Sequence, residues 1–385
     1  MAEAIYTYKT GRSLVELQDC LIPAAPCYAR RLHAFPVKGE ETKLYSRFKF
    51  LLIDYSKGSG ENSVCVDVNI TAETLIFLFW QYKYAIQTGN FAYTEEKIMP
   101  NNDLVKKLTI RRAKTNSKGE VLRNPWSISA ESGKGQKAYT KEGGTYLKPG
   151  TYQKERSVYV SLSDKDMFLL LNEGRRRLED FETYYGSKLL SMSAKNADEE
   201  DKQIYRITTK NSLVEFVDKT NTIYNGKSYR VIGINIVDFN KKNNGKNLFL
   251  SLNLSTQVCG KIYSDIRDSF NKDYEYNEEK IMPNADVDGY SKVSKFKVVR
   301  SQFDKNGEVR KSPWFIVIEQ GKAQLQEFAN GAKAIKGGTY IKESMAYVPL
   351  TDKDMLAAFY NVNRLICAES FLRYCKEQGG NKNEK

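Results

Sequence analysis

Two kinds of segment in the chain combine residue types that could bind an anionic ligand. The first is a strand-like segment in which Lys or Arg alternates with an apolar residue. Because alternate residues of a strand lie on opposite faces of a sheet, such a segment predicts a row of cations backed by an apolar face. Phosphate groups could bind along such a row. The cations at these positions are Arg47, Lys49, Lys107, Arg111, Lys295 and Lys297.

The second kind of segment is rich in Gly and carries Tyr and Lys. Segments 133–137 and 143–148 have counterparts at 321–324 and 337–342. Flexible backbone, an aromatic ring for stacking and nearby cations are typical of a loop that binds a nucleic-acid strand. The alternative interpretation is a long hairpin connection that needs Gly only for its turns. The candidate binding residues here are Lys134, Lys137, Tyr146, Lys148, Lys322, Tyr340 and Lys342.

Residues suited to catalysis are scarce. His33 is the single histidine and no two cysteines form a CxxC pair, so histidine-based zinc sites and catalytic triads lack their main component. The recurrent pairs Asp164/Asp166 and Asp352/Asp354 could bind a metal in a nuclease. Each pair, however, follows a Ser or Thr at the predicted start of a helix, where a carboxylate favours the helix dipole. We therefore expect a non-enzymatic protein without a cofactor or a metal site.

Charge and composition point to an anionic partner. The chain of 385 residues has 60 Lys plus Arg against 47 Asp plus Glu, a net charge of +13. Residues up to 192 include 29 basic and 22 acidic side chains, and the rest include 31 and 25, so both halves carry the excess. A content of 41% hydrophobic residues is enough to form a core. No segment has the ~20 apolar residues of a membrane span, and we expect a soluble, cytoplasmic protein.

The motifs recur in the same order along the chain. Segments in the first half that have a counterpart in the second are 5–19 with 204–218, 95–101 with 278–284, 143–148 with 337–342 and 162–167 with 350–355. A polar, charged segment lies between the two sets. The predicted organisation is a first copy at 1–190, a linker at 191–203, a second copy at 204–378 and a disordered tail at 379–385. We expect 95–101 to link two smaller units within a copy.

Each copy is predicted to contain two antiparallel sheets, each closed by a helix. The predicted strands are 46–56, 63–70, 107–114, 126–131 and 157–163 in the first copy, and 228–239, 248–254, 295–303, 314–319 and 346–350 in the second. Helices are predicted at 71–87 and 164–184. The expected helix N-caps are Thr71, Ser163, Ser255 and Thr351. Trp126 and Trp314 are expected in the core rather than in base stacking.

One part of each copy resembles a known fold. Lys148, Pro149 and Gly150, the alternating strand at 157–162 and the helix at 166–178 resemble the single-stranded-DNA-binding fold of the coactivator PC4, plant Whirly proteins and PUR repeats. The second copy departs from this pattern, because Glu343, Ser344 and Met345 replace the Pro-Gly element. The resemblance implies an α+β fold, duplicated in tandem, in which each copy is a PC4/Whirly-like pseudo-dimer and binds a single strand on curved outer sheet faces.

These observations predict a non-enzymatic protein that binds single-stranded nucleic acid, with DNA as the first expectation and RNA as the alternative, and that comes from a phage or mobile element. The competing hypothesis is a protein-interaction module that acts as an inhibitor or accessory factor of a nucleoprotein machine. In that case the positive charge would engage an acidic protein surface.

Overall fold

The computed structural model describes residues 3–36, 43–99, 103–139, 145–193, 202–224, 226–243, 245–270, 272–282 and 289–380. Within these ranges the protein is a mixed α+β structure of mostly antiparallel sheets with four α-helices. None of the helices described there is both long and apolar enough to cross a bilayer. The chain divides into two compact units, the first formed by Met1–Ala24 and His33–Tyr185 and the second by Ala25–Leu32 and Gly186–Lys385.

The first unit contains two four-stranded sheets, and a helix follows each of them. The elements up to the first helix are β1 (Glu3–Lys9), β2 (Ser13–Cys20), β3 (Ala34–Pro36), β4 (Lys43–Tyr45), β5 (Arg47–Asp54), β6 (Val64–Ile70) and α1 (Ala72–Thr88). Those that follow are β7 (Asn90–Ile98), β8 (Leu104–Ala113), β9 (Trp126–Lys134), β10 (Lys137–Tyr139), β11 (Thr145–Leu147), β12 (Gln153–Leu162) and α2 (Asp164–Ser193). The strand orders are β1-β2-β5-β6 and β12-β9-β8-β7, while β3-β4 and β10-β11 are separate two-stranded sheets.

The second unit has the same order of large elements. Its first sheet and helix are β13 (Gln203–Thr208), β14 (Ser212–Tyr224), β15 (Lys227–Asn243), β16 (Lys246–Ser255) and α3 (Thr256–Arg267). The second set is β17 (Tyr274–Ile281), β18 (Ser291–Arg300), β19 (Trp314–Ala323), β20 (Leu325–Glu327), β21 (Lys333–Ile335), β22 (Ile341–Leu350) and α4 (Asp352–Gly380). Short 3-10 helices lie at Pro26–Arg31 and Gly60–Asn62. Four strands followed by a helix therefore occur four times along the chain.

The extents of the copies, the linker and the tail differ from the predicted ones. Helix α2 extends to Ser193 instead of residue 184 and so occupies the start of the predicted linker. Residues 25–32 belong to the second unit, where Arg30 donates to Asp218 at 2.7 Å and accepts from Arg364 at its carbonyl at 2.6 Å. Residues 379 and 380 lie within the bounds of α4, and the remainder of the predicted tail, 381–385, lies outside the described residues.

A hydroxyl caps each of the four long helices, as predicted. The oxygen that precedes each helix accepts a hydrogen bond from the backbone N–H three residues later, at 3.1 to 3.2 Å. Asp166 and Asp354 also accept a hydrogen bond from the hydroxyls of Ser163 and Thr351, at 2.5 and 2.7 Å. These contacts satisfy backbone donors that have no partner inside the helix. The second carboxylate of each Asp-Lys-Asp motif thus contributes to the start of a helix.

The first carboxylate of the motif joins the helix to the sheet before it. In the first unit Arg112, on β8, donates through Nε and Nη2 to the two carboxylate oxygens of Asp164, both at 3.0 Å, and through Nη1 to the carbonyl of Gly89 at 2.8 Å. The indole N–H of Trp126 donates to Asp164 at 2.7 Å. We call this set of contacts the first arginine bridge.

The second unit repeats this arrangement. Arg300, on β18, donates to Asp352 at 3.1 Å and to the carbonyls of Lys272 and Phe270. The indole N–H of Trp314 donates to Asp352 at 2.7 Å. We call this set the second arginine bridge. Trp126 and Trp314 are 1% and 0% exposed, which confirms the prediction that both lie in the core.

Replacing Arg112 with Met is expected to lower the free energy of unfolding by about 2 kcal/mol, because Asp164 and the Gly89 carbonyl lose a charged donor. The adjacent Arg111 is exposed on the opposite face of β8 and serves as the matched control. Arg111→Met should change stability by less than about 0.5 kcal/mol. Urea unfolding of the full chain measures both effects, and equal losses in the two variants would contradict this role of Arg112.

The arginine bridge also predicts a pH dependence of stability. Partial burial opposes ionisation of Asp164, but hydrogen bonds from Arg112 and Trp126 outweigh it and lower the pKa of this carboxyl below its usual value. A carboxyl with a lowered pKa in the folded state stabilises the protein above its unfolded-state pKa of about 4, and this contribution is lost as the pH falls through the folded-state pKa.

Wild-type protein should therefore be more stable than Asp164→Asn at pH 6, and the difference should shrink as the pH falls below about 4. Urea midpoints measured across this range for both proteins test the expectation. If the difference in urea midpoint between the two proteins is the same at pH 6 and below about pH 4, ionisation of Asp164 does not contribute to stability.

Candidate nucleic-acid interface

The second sheet of each unit has one face that is not covered by the core. In the first unit Leu108 and Ile110 of β8 are buried, whereas Thr109 and Arg111 lie on the other face, as the alternation predicts. We define the first outer face by the residues that lie there on neighbouring strands, namely Thr94, Thr109, Arg111, Ser127, Ser129 and Tyr159. It is rich in hydroxyl groups and carries one exposed aromatic ring.

The corresponding face in the second unit is more apolar. On β18, Phe296 and Val298 are buried, and Lys295 and Lys297 lie opposite them as predicted. We define the second outer face by Lys297, Val299, Phe315, Val317 and Tyr347. Phe315 and Tyr347 have ring centroids 6.3 Å apart. This face therefore has an apolar surface beside a lysine.

The predicted cations of β5 also follow the alternation. Phe48 and Phe50 are fully buried, and Arg47 and Lys49 are partly exposed on the opposite face. Arg47 donates to the carbonyl of Ser46 at 3.0 Å. Lys49 has no acidic partner among the described residues, so it could bind an external anion.

Several predicted cations are neutralised by glutamates on neighbouring strands. The pairs are Lys107 with Glu96 at 2.5 Å, Lys295 with Glu279 at 2.6 Å, Lys297 with Glu319 at 3.3 Å, Lys134 with Glu155 at 3.6 Å and Lys322 with Glu343 at 3.8 Å. These sheet faces therefore carry less free positive charge than the sequence pattern alone indicates. Ligand binding would have to compete with the glutamates at these positions or use other cations.

The repeated segment Glu-Glu-Lys supplies two of these glutamates. Its lysines, Lys97 on β7 and Lys280 on β17, donate to the backbone carbonyls of Asn69 and Asn253. These carbonyls belong to β6 and β16, the last strands of the preceding sheets. Residues 95–98 and 278–281 are thus part of strands β7 and β17 of the second sheets rather than a link between units, and their lysines contact the preceding sheet.

A lysine lies over a tyrosine ring beside each outer face. Lys107 Nζ is 3.9 Å from the ring centroid of Tyr152, and Lys295 Nζ is 4.1 Å from that of Tyr340. Burial, followed by the charge of Glu131, raises the pKa of Tyr152 to about 12. Burial and the charge of Glu319 likewise raise the pKa of Tyr340 to about 12. Both tyrosines therefore remain neutral at physiological pH.

Each of these tyrosines follows a turn, and the contacts of the two turns show which segments of the two units are equivalent. Thr151 Oγ1 accepts from the N–H of Gln136 at 3.0 Å and donates to the carbonyl of Lys148 at 2.7 Å. Thr339 Oγ1 makes the same contacts with Gln324 at 3.1 Å and Lys336 at 2.7 Å. Segment 148–152 is therefore the counterpart of 336–340.

The predicted match of 143–148 with 337–342 is accordingly wrong. Tyr340 corresponds to Tyr152 and not to Tyr146, which lies on β11 and is 46% exposed. Lys342 likewise corresponds to Lys154 rather than Lys148. The second unit also keeps the turn of Pro149 and Gly150, since Gly150 and Gly338 have φ of 77° and 76°, which favours glycine. The sequence contained the deciding signal, because Tyr152 and Tyr340 each precede the last leucine of their strand, Leu162 or Leu350, by ten residues.

Two exposed tyrosines were not among the predicted binding residues. Tyr159 on β12 is 59% exposed and Tyr347 on β22 is 44% exposed, and each lies three residues before the last leucine of its strand. The alternation of 158–162, with Val158 and Val160 buried, could have placed Tyr159 on the outer face. In register, Tyr159 is paired with Ser129, and Tyr347 is paired with Val317.

The remaining predicted residues lie at or near the Gly-rich turns. Lys137 is on β10 and partly exposed, and Lys148 follows β11 and is exposed. Lys148 and Lys342 have no acidic partner among the described residues. Segment 143–144 lies outside the described part of the chain.

The residues that could suggest catalysis occupy structural contacts. Asp164 and Asp352 belong to the arginine bridges, and His33 is buried, with Nε2 2.8 Å from Glu182 and its ring stacked 5.5 Å from Phe181. Among the described residues, no group of three or more His, Cys, Asp or Glu side chains could together bind a metal ion.

Comparisons with known proteins add no family to this description. The chain matches no protein-family description, no curated protein and no solved structure.

Proposed function

We propose that the chain is a non-enzymatic protein that binds single-stranded nucleic acid. We further propose that it is a tandem duplication with a PC4/Whirly/PUR-like arrangement, in which each copy contains two units of antiparallel sheet and closing helix. Two observations support the duplication: four strands followed by a helix occur four times, and the repeated sequence segments fall at the same places in the two halves.

The observation that carries the proposed function is the exposed tyrosine on each outer face. Tyr159 and Tyr347 occupy the same position relative to the end of their strands, and each projects from a sheet that also carries a cation on β8 or β18. An aromatic ring on an open sheet can stack on any base, and such a contact is worth roughly 1 to 3 kcal/mol. A protein that needed the ring only for its own core would bury it.

Cations without acidic partners would bind the phosphate backbone. Among the described residues these include Lys49, Arg111, Lys148 and Lys342, of which Arg111 lies on the first outer face. Phosphate binding by such groups releases counterions, so affinity must fall as salt rises. A single strand can make both kinds of contact, because its bases are free to stack on the tyrosines and its phosphates can bind the cations.

The paired lysines favour a second candidate. Where Lys107 and Lys295 are bound to Glu96 and Glu279, the surface carries both signs of charge, which suits a protein partner at least as well as a nucleic acid. A protein-interaction module is therefore the competing proposal. A partner that remains bound to the chain after nuclease treatment, together with no binding of oligonucleotides, would favour it.

Replacing Tyr159 or Tyr347 with Ala should weaken binding of an oligothymidylate of ~16 nucleotides about tenfold, because each variant loses a stacking contact. The dependence of affinity on salt should stay unchanged, since neither variant removes a cation. Fluorescence anisotropy at several salt concentrations measures both quantities, and an oligouridylate of equal length compares RNA with DNA.

Tyr374→Ala is the matched control, because Tyr374 is 58% exposed on α4 and lies on neither outer face. It should bind like wild type. If all three variants bind equally well, the outer faces are not the binding surface. If wild-type protein binds no oligonucleotide even at low salt, the proposed function is wrong.

A further inference from the structure

The second unit contains a groove between the end of the β15–β16 hairpin and β22. Its volume is about 580 Å³, and it is lined by Lys241, Lys242, Asn243, Leu248, Lys342, Glu343, Ser344 and Met345. We call it the lysine groove. All of its lining residues belong to the second unit.

The groove has an excess of positive charge. Its one carboxylate, Glu343, is 3.8 Å from Lys322 and is thereby already paired. Lys241 donates to the carbonyl of Met345 at 2.7 Å and lies 3.6 Å from Asp238, so its ammonium group is already bound within the side of the lysine groove. Lys242 donates to the side chain of Asn247 and, like Lys342, has no acidic partner among the described residues. Two ammonium groups are thus left for an external anion.

A second, polar cleft lies next along β22. It has a volume of about 180 Å³ and is lined by Thr209, Lys210, Asn211, Ser212, Asp238, Asn240, Tyr347 and Pro349. The lysine groove borders β22 at 342–345 and this cleft borders it at 347–349. Cations are therefore followed along one strand by amide and hydroxyl groups and by the exposed ring of Tyr347.

We infer that the path along β22 binds a stretch of single-stranded nucleic acid, with backbone phosphates at Lys242 and Lys342 and a base at Tyr347. This inference rests on the proposed function and assigns the site to named residues of the second unit. Six residues run from Lys342 to Tyr347, and the five steps between them correspond to about 17 Å of strand. A stacked strand of about five nucleotides covers this length at 3.4 Å each, which is within the usual range for one sheet-based binding module.

Among the described residues, the corresponding hairpin of the first unit carries a different set of charged side chains. Strand β5 ends at Asp54 and β6 begins at Val64, and the connection between them contains Lys57 together with Glu61. The β15–β16 hairpin is longer and carries Lys241, Lys242 and Lys246 near its tip. The two units are therefore expected to contribute unequally to affinity, and the second unit should provide more of the salt-dependent part.

The test is the double variant Lys242→Gln/Lys342→Gln in the full chain, with Lys305→Gln/Lys311→Gln as the matched control. Lys305 and Lys311 are exposed in the same unit and lie outside both clefts. Anisotropy titrations with an oligothymidylate of ~16 nucleotides at a series of salt concentrations give the affinity and its salt dependence. Thermal unfolding of each variant checks that the fold is unchanged.

The groove variant should lower the slope of log affinity against log salt by about 1.4, which corresponds to two phosphate contacts on a single strand. The control should keep the wild-type slope. If the groove variant and the control have equal slopes while wild type still binds, the lysine groove does not bind the phosphates. The proposed function would then be unaffected. Absence of wild-type binding at low salt would overturn both.

Discussion

In each unit one buried arginine joins the second sheet to the long helix that follows it, and the placement of the outer face depends on this contact. Arg112 and Arg300 donate to an aspartate in the first turn of the helix, to which a buried tryptophan on the next strand also donates. Backbone carbonyls that follow the preceding helix accept from the same guanidinium. A planar group with five donors can satisfy all these acceptors, which a lysine could not. The inner side of the sheet is thereby joined to the helix, and the outer side carries the exposed ring of Tyr159 or Tyr347.

The ligands that the outer faces can bind depend on which of their charged side chains are not already in an ion pair. Cross-strand glutamates pair with the lysines nearest the edge strands, so a uniform basic face does not form. Exposed Tyr159 and Tyr347, together with cations that lack an acidic partner in the described part of the chain, are groups that can interact with another molecule. The extended β15–β16 hairpin adds lysines to the second unit alone. Two halves of nearly equal net charge thus present different surfaces, and we interpret them as unequal parts of one single-strand-binding protein.

Local patterns in the sequence were sufficient to predict many strands and helices, but they were not sufficient to predict the contacts of the candidate site. Alternation identified the buried faces of β5, β8 and β18, and Ser or Thr before an apolar helix identified all four caps, because both signals depend on neighbouring residues only. The ion pairs of Lys107 and Lys295 depend on the register between strands, which the sequence does not contain. Tyr146 was matched with Tyr340 because the first unit has two Gly-Thr-Tyr segments, at 144–146 and 150–152, and the contacts of Thr151 and Thr339 identify the second segment as the equivalent one.

Amide hydrogen exchange of the full chain, with and without a saturating oligothymidylate, tests most directly whether the outer faces bind a single strand. β12 and β22 are edge strands of their sheets, so some of their amides are open to solvent and can report a bound ligand. Binding at the outer faces should slow exchange in the peptides that contain Tyr159 and Tyr347, with the larger effect along 342–349. Bound oligonucleotide with unchanged exchange in both strands, and protection confined to other parts of the chain, would contradict it.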